Sequence, residues 1–424
     1  MNTNLIKRTI LKDLIDHLDK KQISLIVGPR QVGKTTLMSF LMSHLAEKNK
    51  KSIYLSLDIE NDRKFFNSQN NLIEKIKLEI GNEKGFVFID EIQRKPDAGL
   101  FLKGIYDMNL PYKFVVSGSG SIELKEKVHE SLAGRKMLFE VPPVSFFEFF
   151  NFKTDYKYEN KLAAYFSVEK DNSLKFLEEY LNFGGYPRAI LAQTREEKNR
   201  ELDEIYRSYI EKDIALLLRV EKTDAFSSLV KILSSQIGGL LNYNELANTL
   251  GISLATVKNY LYYLEKTYII QRLPPFFKNA RKEITKSPMI YFSDLGLRNY
   301  SLGIAGNLTR PDDLGLLFQN FVFNILVSDF RLLGPKINFW RTKDKAEVDF
   351  VINSHEKATP IEVKYKEFSE PAIQRSLRSF IEKYSPEKAL IITKDFNSRI
   401  KIKNTNVEFI PFWLFAIDPR KMIF

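Results

Sequence analysis

One segment near the N-terminus constrains the fold of this 424-residue chain more than any other. Residues 28–36 read GPRQVGKTT and fit the pattern G-x-x-x-x-G-K-[ST]. The apolar stretch ISLIV precedes them and an apolar-periodic helical pattern follows, which is the order of strand, loop and helix that a phosphate-binding loop requires. Because glycine lets the backbone approach closely, successive N–H groups and the helix N-terminus can face an anion. The expected phosphate site consists of Gly28, Pro29, Arg30, Gln31, Val32, Gly33, Lys34, Thr35 and Thr36.

Two side chains of this loop carry the expected chemistry. The Lys34 ammonium would bind the β and γ phosphates, and the Thr35 hydroxyl would ligate Mg²⁺. The expected cofactors are therefore ATP and Mg²⁺. A chance glycine turn before a helix is the alternative, and the strand and helix on either side make it the weaker interpretation.

A second apolar stretch, residues 86–89, ends in the paired carboxylates Asp90 and Glu91. In a parallel sheet, a carboxylate at the carboxyl end of a buried strand faces the crevice beside the phosphate loop. Asp90 would hold Mg²⁺ through water, and Glu91 would polarise the attacking water of a hydrolysis reaction. An acidic helix cap after a strand is the alternative. Hydrolysis, as opposed to binding alone, depends on Glu91.

A third stretch, residues 113–119, reads KFVVSGS and ends in hydroxyl groups. A hydroxyl at that position could sense the γ-phosphate from a neighbouring strand, and we select Ser117 over Ser119 because it lies nearer the strand end. A plain Ser/Gly turn is the alternative. Between about residues 20 and 145, short apolar runs of this kind alternate with helical patterns, which predicts an α/β fold with a parallel sheet and crossover helices.

Several short motifs together resemble one protein family. They are the phosphate loop, DEIQ at residues 90–93, the S-G-S strand, LAGR at residues 132–135 and GGYPR at residues 184–188. Over nearly its whole length, the chain is similar to a prokaryotic family of AAA+-type P-loop ATPases that carry a C-terminal domain of unknown function. The resemblance implies a sheet with the strand order 5-1-4-3-2.

The resemblance also implies two residue roles. Arg135 precedes the strand-like KMLFEV, where ring-forming AAA+ ATPases place an arginine finger that reaches a neighbour's γ-phosphate; a solvent-facing arginine after a glycine turn is the alternative. The sequence Gly185-Tyr186-Pro187 is similar to the G-x-P motif of the STAND group of signal-transduction ATPases, in which the proline approaches the adenine. Without the family, this sequence indicates only a tight turn between helices.

Residues 244–264 carry the pattern of a helix-turn-helix. Gly251 permits the turn, Ser253 can cap the second helix, and Leu261 and Leu264 are expected in the core. The extended QRLPPFFK that follows resembles the wing of a winged helix. Such a module could enter a major groove of double-stranded DNA, or could pack beside an ATPase core without binding DNA. The expected recognition face carries one lysine, Lys258.

The C-terminal region carries a carboxylate on one strand and E-x-K on the next, namely Asp349, Glu362 and Lys364. This is the signature of the PD-(D/E)xK nuclease fold, and side chains two apart on a strand share one face. The two acids could hold Mg²⁺ while Lys364 orients water or steadies a phosphate. The family commonly has an acidic residue where this chain has Gln319, so an inactive nuclease-like scaffold kept for binding or packing is the alternative.

These patterns predict four domains: an AAA+-type ATPase core at 1–150, a helical lid or connector at 151–222, a winged-helix module at 223–284 and a nuclease-like α/β domain at 285–424. The polar and aromatic residues 151–170 are expected to form an insert or a loosely packed connector. The predicted function is Mg²⁺-dependent ATP hydrolysis coupled to the later domains. A slow nucleotide-dependent switch or an interaction module is the rival function.

Composition limits the chemistry and the partners. The chain has no Cys, which excludes disulfides, thiolate nucleophiles and Cys-ligated metals. Its 64 basic and 53 acidic residues give a net charge of +11, which suits nucleotides and double-stranded DNA without requiring the latter. No run of 18 apolar residues is present and the N-terminus is a poor signal peptide, so we expect a cytoplasmic protein without a membrane partner. A monomer and a ring-shaped homo-oligomer both remain open.

Overall fold

The computed structural model describes residues 5–119, 132–208, 223–277, 286–308, 311–330, 334–354 and 357–424. Two compact units divide the chain. The first comprises Met1–Glu148, Tyr186–Leu191 and Tyr262–Ile269, and the second comprises Phe149–Gly185, Ala192–Leu261 and Ile270–Phe424. The predicted domain boundaries after residues 222 and 284 lie outside the described residues, so the division into four domains stays a prediction.

Strands and helices alternate in the first unit, whereas helices precede most of the strands in the second. The strands are β1 (Ile23–Gly28), β2 (Ser52–Ser56), β3 (Gly85–Asp90), β4 (Tyr112–Ser119), β5 (Lys136–Glu140), β6 (Ile270–Leu273), β7 (Met289–Phe292), β8 (Lys336–Arg341), β9 (Glu347–Ser354), β10 (Lys357–Lys364), β11 (Lys388–Thr393), β12 (Ser398–Ile402) and β13 (Thr405–Pro411). The helices are α1 (Ile10–Asp16), α2 (Lys34–Glu47), α3 (Glu60–Arg63), α4 (Gln69–Ile80), α5 (Ala98–Asp107), α6 (Phe146–Lys153), α7 (Leu162–Val168), α8 (Lys170–Phe183), α9 (Pro187–Leu191), α10 (Arg195–Ile205), α11 (Thr223–Ser235), α12 (Tyr243–Leu250), α13 (Leu254–Lys266), α14 (Leu295–Ser301), α15 (Pro311–Phe330), α16 (Arg375–Tyr384), α17 (Phe412–Ile417) and α18 (Pro419–Ile423).

The first unit is built on a five-stranded sheet in the order β2-β3-β4-β1-β5. Every neighbouring pair of these strands is parallel. The order is the predicted 5-1-4-3-2 counted from the other edge, so the predicted α/β fold class is confirmed for this sheet. Strands β1 and β3 are buried along their whole length, as expected for inner strands that helices cover on both faces. Their carboxyl ends therefore meet at one edge of the sheet, where the candidate site lies.

The second unit contains a six-stranded mixed sheet in the order β12-β13-β11-β10-β9-β8. The central pairs β10 with β11 and β11 with β13 are parallel, whereas β8, β9 and β12 pair antiparallel with their neighbours. The two strands that the sequence predicts here, one with Asp349 and the next with Glu362 and Lys364, are β9 and β10. The long helix α15 packs on β10, and α16 packs on β9 and β10.

The segment 151–170, expected to be an insert or a loosely packed connector, has exposed or partly exposed side chains except for the buried ring of Phe166, so the expectation stays a prediction. Helices α6 and α7 cover part of it, and Phe166 packs against Phe150, which is fully buried just before the segment. The Phe150 ring lies 4.8 Å from the Phe166 ring and 5.2 Å from the Phe176 ring, centroid to centroid. Aromatic side chains supply the burial here, and the polar residues between them lie at the surface.

The predicted helix-turn-helix corresponds to α12 and α13. Gly251 ends α12 in the left-handed conformation with φ +63°, and Ser253 Oγ accepts a hydrogen bond of 3.0 Å from the Thr256 N–H. Leu261 and Leu264 are fully buried, as predicted. Strands β6 and β7 follow as an antiparallel pair, and the segment 278–285 between them lies outside the described residues. The winged helix itself stays a prediction.

Candidate functional site

The phosphate loop connects β1 to α2 at the carboxyl edge of the first sheet. A side chain at Gly28 would put its Cβ 2.3 Å from the Val141 carbonyl oxygen, so glycine is needed for the loop to leave the strand beside β5. Gly33 has φ +94° and stands just before the first residue of α2, a backbone conformation that glycine adopts without strain. These two positions explain the glycines of the motif.

Lys34 is the first residue of α2 and is 6% exposed. Its Nζ donates hydrogen bonds to the carbonyl oxygens of Gly28 at 3.2 Å and Pro29 at 2.7 Å, so the ammonium lies inside the loop. Burial lowers the pKa of Lys34 to about 8, although the charges of Glu91 and Asp90 oppose this effect. A buried ammonium in this position is a ready partner for an anion.

The carboxylate of Asp90 joins three strands and the phosphate loop. Its Oδ2 accepts hydrogen bonds of 2.8 Å from the Thr35 hydroxyl and 2.8 Å from the Tyr54 hydroxyl. Its Oδ1 accepts from the Ser117 hydroxyl and, at 3.0 Å, from the Glu91 N–H. Four donors therefore hold one carboxylate that is 3% exposed. The structure thus brings together Thr35, Asp90, Glu91 and Ser117, as the sequence predicts.

Glu91 follows β3 with φ +57°, in the left-handed region, and is followed by a short 3₁₀ helix, Ile92–Arg94. The Gln93 side-chain amide donates a hydrogen bond to Glu91 Oε2. Burial raises the pKa of Glu91, and the nearby Lys34 ammonium partly counteracts the rise. A carboxylate with a raised pKa is a better proton acceptor near neutral pH than an ordinary glutamate.

The residues at this edge fit a magnesium ion chemically. Thr35 and Asp90 offer hard oxygen atoms within 2.8 Å of each other. Among the residues that the structure describes, no group of three or more His, Cys, Asp and Glu could hold a metal. A P-loop magnesium ion does not need such a group, because it takes one or two protein oxygens together with phosphate and water.

Two contributions to this site escape motif reading. Tyr54 lies on β2, and only the strand order places its hydroxyl beside Asp90. Arg8 is 8% exposed and donates from its guanidinium to the Val32 carbonyl oxygen at 3.0 Å, while its Nε lies 3.1 Å from Glu148 Oε2. Arg8 therefore connects the N-terminal segment to the phosphate loop through Val32. The buried ion pair with Glu148 holds the guanidinium in this position. No motif in the sequence indicates either contact, because both depend on how distant segments pack.

Arg135 lies away from the Asp90 cluster. It precedes β5, and its carbonyl oxygen accepts from the Ile23 N–H at the start of β1, the opposite end of that strand from the phosphate loop. Its guanidinium contacts both carboxylate oxygens of Asp107, at 2.8 and 3.4 Å. This hydrogen bonding raises the pKa of Arg135 and lowers the pKa of Asp107. A role in the site of its own chain is excluded by this position, and a role toward a neighbouring copy stays a prediction.

Pro187 is the first residue of α9, in the same unit as the phosphate loop. The two residues before Tyr186, Gly184 and Gly185, pack closely against Asp294 within the second unit. Asp294 is buried, accepts a hydrogen bond of 2.7 Å from the Gly185 N–H and caps α14, and a Cβ on Gly184 would lie 2.4 Å from its Oδ1. Burial raises the pKa of Asp294 to about 6, although backbone N–H groups favour its charged form. Gly184 is thus required by its packing against Asp294, and Gly185 contributes its N–H to the same carboxylate.

The C-terminal residues selected from the sequence also lie together. Gln319 Nε2 on α15 donates a hydrogen bond of 2.9 Å to Asp349 Oδ1, and Asp349 Oδ2 accepts one of 2.7 Å from the Val363 N–H. Lys364 Nζ lies 3.2 Å from Glu362 Oε2. Burial raises the pKa of Asp349, and it raises the pKa of Glu362 to about 7 although the Lys364 ammonium opposes both shifts.

A buried tyrosine adds to this C-terminal cluster and was not identified from the sequence. Tyr291 on β7 is fully buried, and burial together with the Asp349 charge raises its pKa well above the usual value. Its hydroxyl has no hydrogen-bond partner among the described residues. The carboxylate oxygens of Glu362 likewise accept no hydrogen bond from that part of the chain, despite the nearby ammonium. The cluster therefore contains buried polar atoms without a hydrogen-bond partner in the described part of the chain, and Glu362 Oε2 has the Lys364 ammonium as its ion-pair partner.

Three family models match successive parts of the chain. Residues 20–150 match the AAA domain family, residues 174–308 match a domain of unknown function (DUF8612), and residues 314–415 match a second domain of unknown function (DUF4143). The chain therefore carries a P-loop AAA domain and a C-terminal domain of unknown function. This confirms the resemblance drawn from the motifs. Within the described residues, no helix combines the length and apolarity needed to cross a membrane.

Whole-chain relatives are themselves uncharacterized. A protein of Mycobacterium tuberculosis is 28% identical over 366 residues, covering 85% of this chain and 74% of its own. A protein of Methanocaldococcus jannaschii is 27% identical over 435 residues, covering 97% of this chain and 91% of its own. Among solved structures, the Aeropyrum pernix ORC1 protein in complex with DNA aligns with a TM-score of 0.31 at 12% identity, over 69% of this chain and 90% of its own. AMPPCP-bound DnaA from Aquifex aeolicus aligns with a TM-score of 0.27 at 17% identity, over 61% of this chain and 86% of its own.

Proposed function

We propose that this chain, whose residues 20–150 belong to the AAA domain family, binds ATP with Mg²⁺ and hydrolyses it at the carboxyl edge of the first sheet. The observation that carries the proposal is the hydrogen bond of 2.8 Å between the Thr35 hydroxyl and Asp90 Oδ2. It joins the phosphate loop to the acidic strand end, and these two motifs are 55 residues apart in the chain. A glycine turn present by chance would not be expected to have an acidic strand end in contact with the helix that follows it.

Each residue has a defined task in this proposal. The N–H groups of the loop and the Lys34 ammonium bind the phosphates, and Thr35 and Asp90 hold the magnesium ion. When bound, Mg²⁺ neutralises phosphate charge and orients the γ-phosphate. Glu91 accepts a proton from the attacking water, Ser117 senses the γ-phosphate beside Asp90, and Pro187 is assigned to the adenine by its motif.

The rate of hydrolysis depends on Glu91 being released by Gln93. In the structure the Gln93 amide donates to the Glu91 carboxylate, so one oxygen of the base is engaged. An enzyme that turns over rapidly must break this contact, whereas a slow nucleotide-dependent switch would keep it. Substitution of Gln93 by Ala is therefore expected to raise the turnover rate if the switch alternative is correct.

Nucleotide binding and hydrolysis test the proposal directly. We expect Glu91→Gln to retain ATP binding and to lose at least about a hundredfold in turnover, within the range that positioned general bases contribute. We expect Lys34→Ala to lose binding and turnover together. The two variants separate hydrolysis from nucleotide binding. Glu91→Gln keeps the shape of the side chain, so it removes the base without disturbing the loop. Unchanged turnover in Glu91→Gln would remove this residue as the base.

We infer a second property for the C-terminal domain, namely that it is a nuclease-like scaffold without cleavage activity. The observation behind this inference is the hydrogen bond from Gln319 to Asp349. The amide lies where the family pattern has an acid, and it donates to one oxygen of the Asp349 carboxylate. Because a neutral amide adds no charge, Asp349 and Glu362 would bind a divalent ion weakly.

DNA cleavage assays distinguish this scaffold from an active nuclease. We expect no cleavage of linear, supercoiled or branched DNA by the full chain in Mg²⁺ or Mn²⁺. Cleavage that Glu362→Ala abolishes and Lys34→Ala preserves would overturn the scaffold proposal. Substitution of Gln319 by Glu provides the matched gain-of-function variant, since it returns the third carboxylate at the same position.

Double-stranded DNA is the proposed macromolecular partner, through the exposed face of α13. Lys258 and Asn259 are exposed on this helix, beside Ser253 at its N-terminus. A single lysine supports few phosphate contacts, so binding would be weak and strongly dependent on salt. Fluorescence anisotropy with a labelled duplex tests this, and Lys258→Ala together with Asn259→Ala should abolish the signal. If the double variant binds DNA as tightly as the unmodified chain, the DNA contact lies on another surface.

A further inference from the structure

The four hydrogen bonds to Asp90 fill the lone pairs of its carboxylate. A carboxylate offers about four acceptor positions, two on each oxygen. Here the Ser117 hydroxyl and Glu91 N–H occupy Oδ1, and the Thr35 and Tyr54 hydroxyls occupy Oδ2. To support a magnesium ion, Asp90 must offer one position to the ion or to its shell. One of the four donors therefore has to leave.

The positions of the donors indicate which one leaves. The Glu91 N–H is fixed by the backbone at the end of β3, and Ser117 is fully buried on β4. Thr35 belongs to the ion site itself, since its hydroxyl oxygen is the expected ligand. Tyr54 is half-buried on β2, a strand that does not belong to the phosphate loop. The Tyr54 hydroxyl lies 2.8 Å from Asp90 Oδ2, and a phenol near neutral pH is protonated, so it donates to this carboxylate.

We propose that Tyr54 is a positioning residue that holds Asp90 Oδ2 and must release it when Mg²⁺ binds, so that it sets the magnesium concentration the site requires. The inference rests on the proposed function of this same site. Removing the Tyr54 hydroxyl leaves Asp90 with a free position on Oδ2. The variant Tyr54→Phe should then take up Mg²⁺ more readily, because no hydrogen bond has to be broken.

Equilibrium binding measures this effect without relying on turnover. A fluorescent ATP analogue is titrated into the full chain in EDTA and then at increasing Mg²⁺, and Mn²⁺ binding is followed in parallel by electron paramagnetic resonance. For Tyr54→Phe we expect the same nucleotide affinity in EDTA and about a tenfold lower half-saturating Mg²⁺, the size expected for losing one hydrogen bond to a charged group. For Thr35→Ala we expect the opposite, a higher magnesium requirement.

Tyr112→Phe is the matched control. Tyr112 lies at the other end of the same sheet, and its hydroxyl donates to the Gly81 carbonyl oxygen, so its loss tests the effect of removing a phenol hydroxyl from this domain. Its magnesium requirement should equal that of the unmodified chain. A requirement in Tyr54→Phe that is unchanged or higher would overturn the inference while leaving nucleotide binding intact. Failure of the unmodified chain to bind nucleotide at any Mg²⁺ would overturn the proposed function, and this inference with it.

Discussion

Lys34 Nζ lies 2.7 Å from the carbonyl oxygen of Pro29, inside the loop that it is expected to close around phosphate. The pKa of this buried ammonium is lowered to about 8, so part of the population is neutral just above neutral pH. Bound phosphate charge would raise the same pKa. Binding must therefore take up a proton, and nucleotide affinity must fall as pH rises from about 8 toward the higher pKa of the complex.

This linkage predicts a measurable pH dependence of nucleotide affinity. Between pH 7.5 and 9.5 we expect the dissociation constant for ADP to rise by roughly twentyfold, since the protonated fraction of a group with a pKa near 8 falls by that factor. Isothermal titration calorimetry in buffers of different ionisation enthalpy measures the proton uptake. Lys34→Arg is the control, because a guanidinium stays charged over this range. A flat affinity profile in the unmodified chain would contradict the assignment of Lys34.

Gly28 is the loop position most sensitive to a single methyl group. An added Cβ would lie 2.3 Å from the Val141 carbonyl oxygen, and the backbone between β1 and β5 would have to shift. We expect Gly28→Ala to destabilise the first unit by about 2 kcal/mol, within the usual range for overpacking, and to weaken nucleotide binding at least tenfold. Hydrogen exchange at β1 and β5 measures the first effect.

The matched control for this substitution is Gly315→Ala on α15. A Cβ on Gly315 meets nothing within 4 Å, so alanine should be tolerated and should favour the helix slightly. Normal exchange at β1 in Gly28→Ala, with nucleotide binding retained, would show that the loop tolerates the methyl group. The close approach to Val141 would then not be the reason for glycine.

Arg135 and Asp107 form an exposed pair at the opposite end of β1 from the phosphate loop. If Arg135 acts on a neighbouring copy, it must leave Asp107 to do so. We then expect Arg135→Ala to retain ATP binding and to lose at least tenfold in turnover at protein concentrations where the rate per protomer rises, since arginine fingers contribute that much or more.

Asp107→Asn provides the complementary variant for the finger hypothesis. It frees the guanidinium without removing it, so turnover should be equal or higher at the same protein concentration. ATPase rate measured against protein concentration checks both variants. Turnover in Arg135→Ala that equals that of the unmodified chain at every concentration would assign this arginine to surface pairing with Asp107 alone.

The sequence predicted the features of the first unit that depend on local order. A phosphate loop needs only a strand, two glycines and a helix in succession, and Asp90 and Glu91 directly follow an apolar run, so both were identified without tertiary information. Tyr54 was missed because its role depends on β2 lying beside β3, which no nearby motif encodes. Arg8 was missed because it reaches Val32 and Glu148 from a segment that reads as a surface helix.

The same distinction holds in the second unit. Asp349, Glu362 and Lys364 were found because strand periodicity places acids and a lysine on shared faces. The contact of Gly184 and Gly185 with Asp294 was not predicted, because Asp294 lies more than a hundred positions later in the chain. The aromatic packing of Phe150 with Phe166 was also not predicted. Polar residues between the aromatic ones hid a buried cluster, because period and composition do not show which rings meet.

Glu362 allows the C-terminal cluster to be tested through stability. It is 2% exposed, and its pKa is raised from 4.5 to about 7. A carboxyl group with a raised pKa contributes stability below its unfolded pKa near 4.5 and loses that contribution as pH rises to about 7. The ionised form is therefore the costly one above pH 7. Glu362→Gln should raise the free energy of unfolding by about 2 kcal/mol at pH 8 and by much less at pH 5.

Tryptophan fluorescence can follow the unfolding of the second unit, which contains Glu362. The chain has two tryptophans, Trp340 and Trp413, and both belong to the second unit. Urea unfolding of the full chain at pH 5, 6.5 and 8, observed through these residues, compares Glu362→Gln with the unmodified chain. The control is Glu387→Gln, which removes an exposed carboxylate paired with Lys357 and should change stability little at any pH. A Glu362→Gln variant that is less stable at pH 8 would show that the carboxylate is stabilised by Lys364, and that this buried pair, and not desolvation, dominates the cluster.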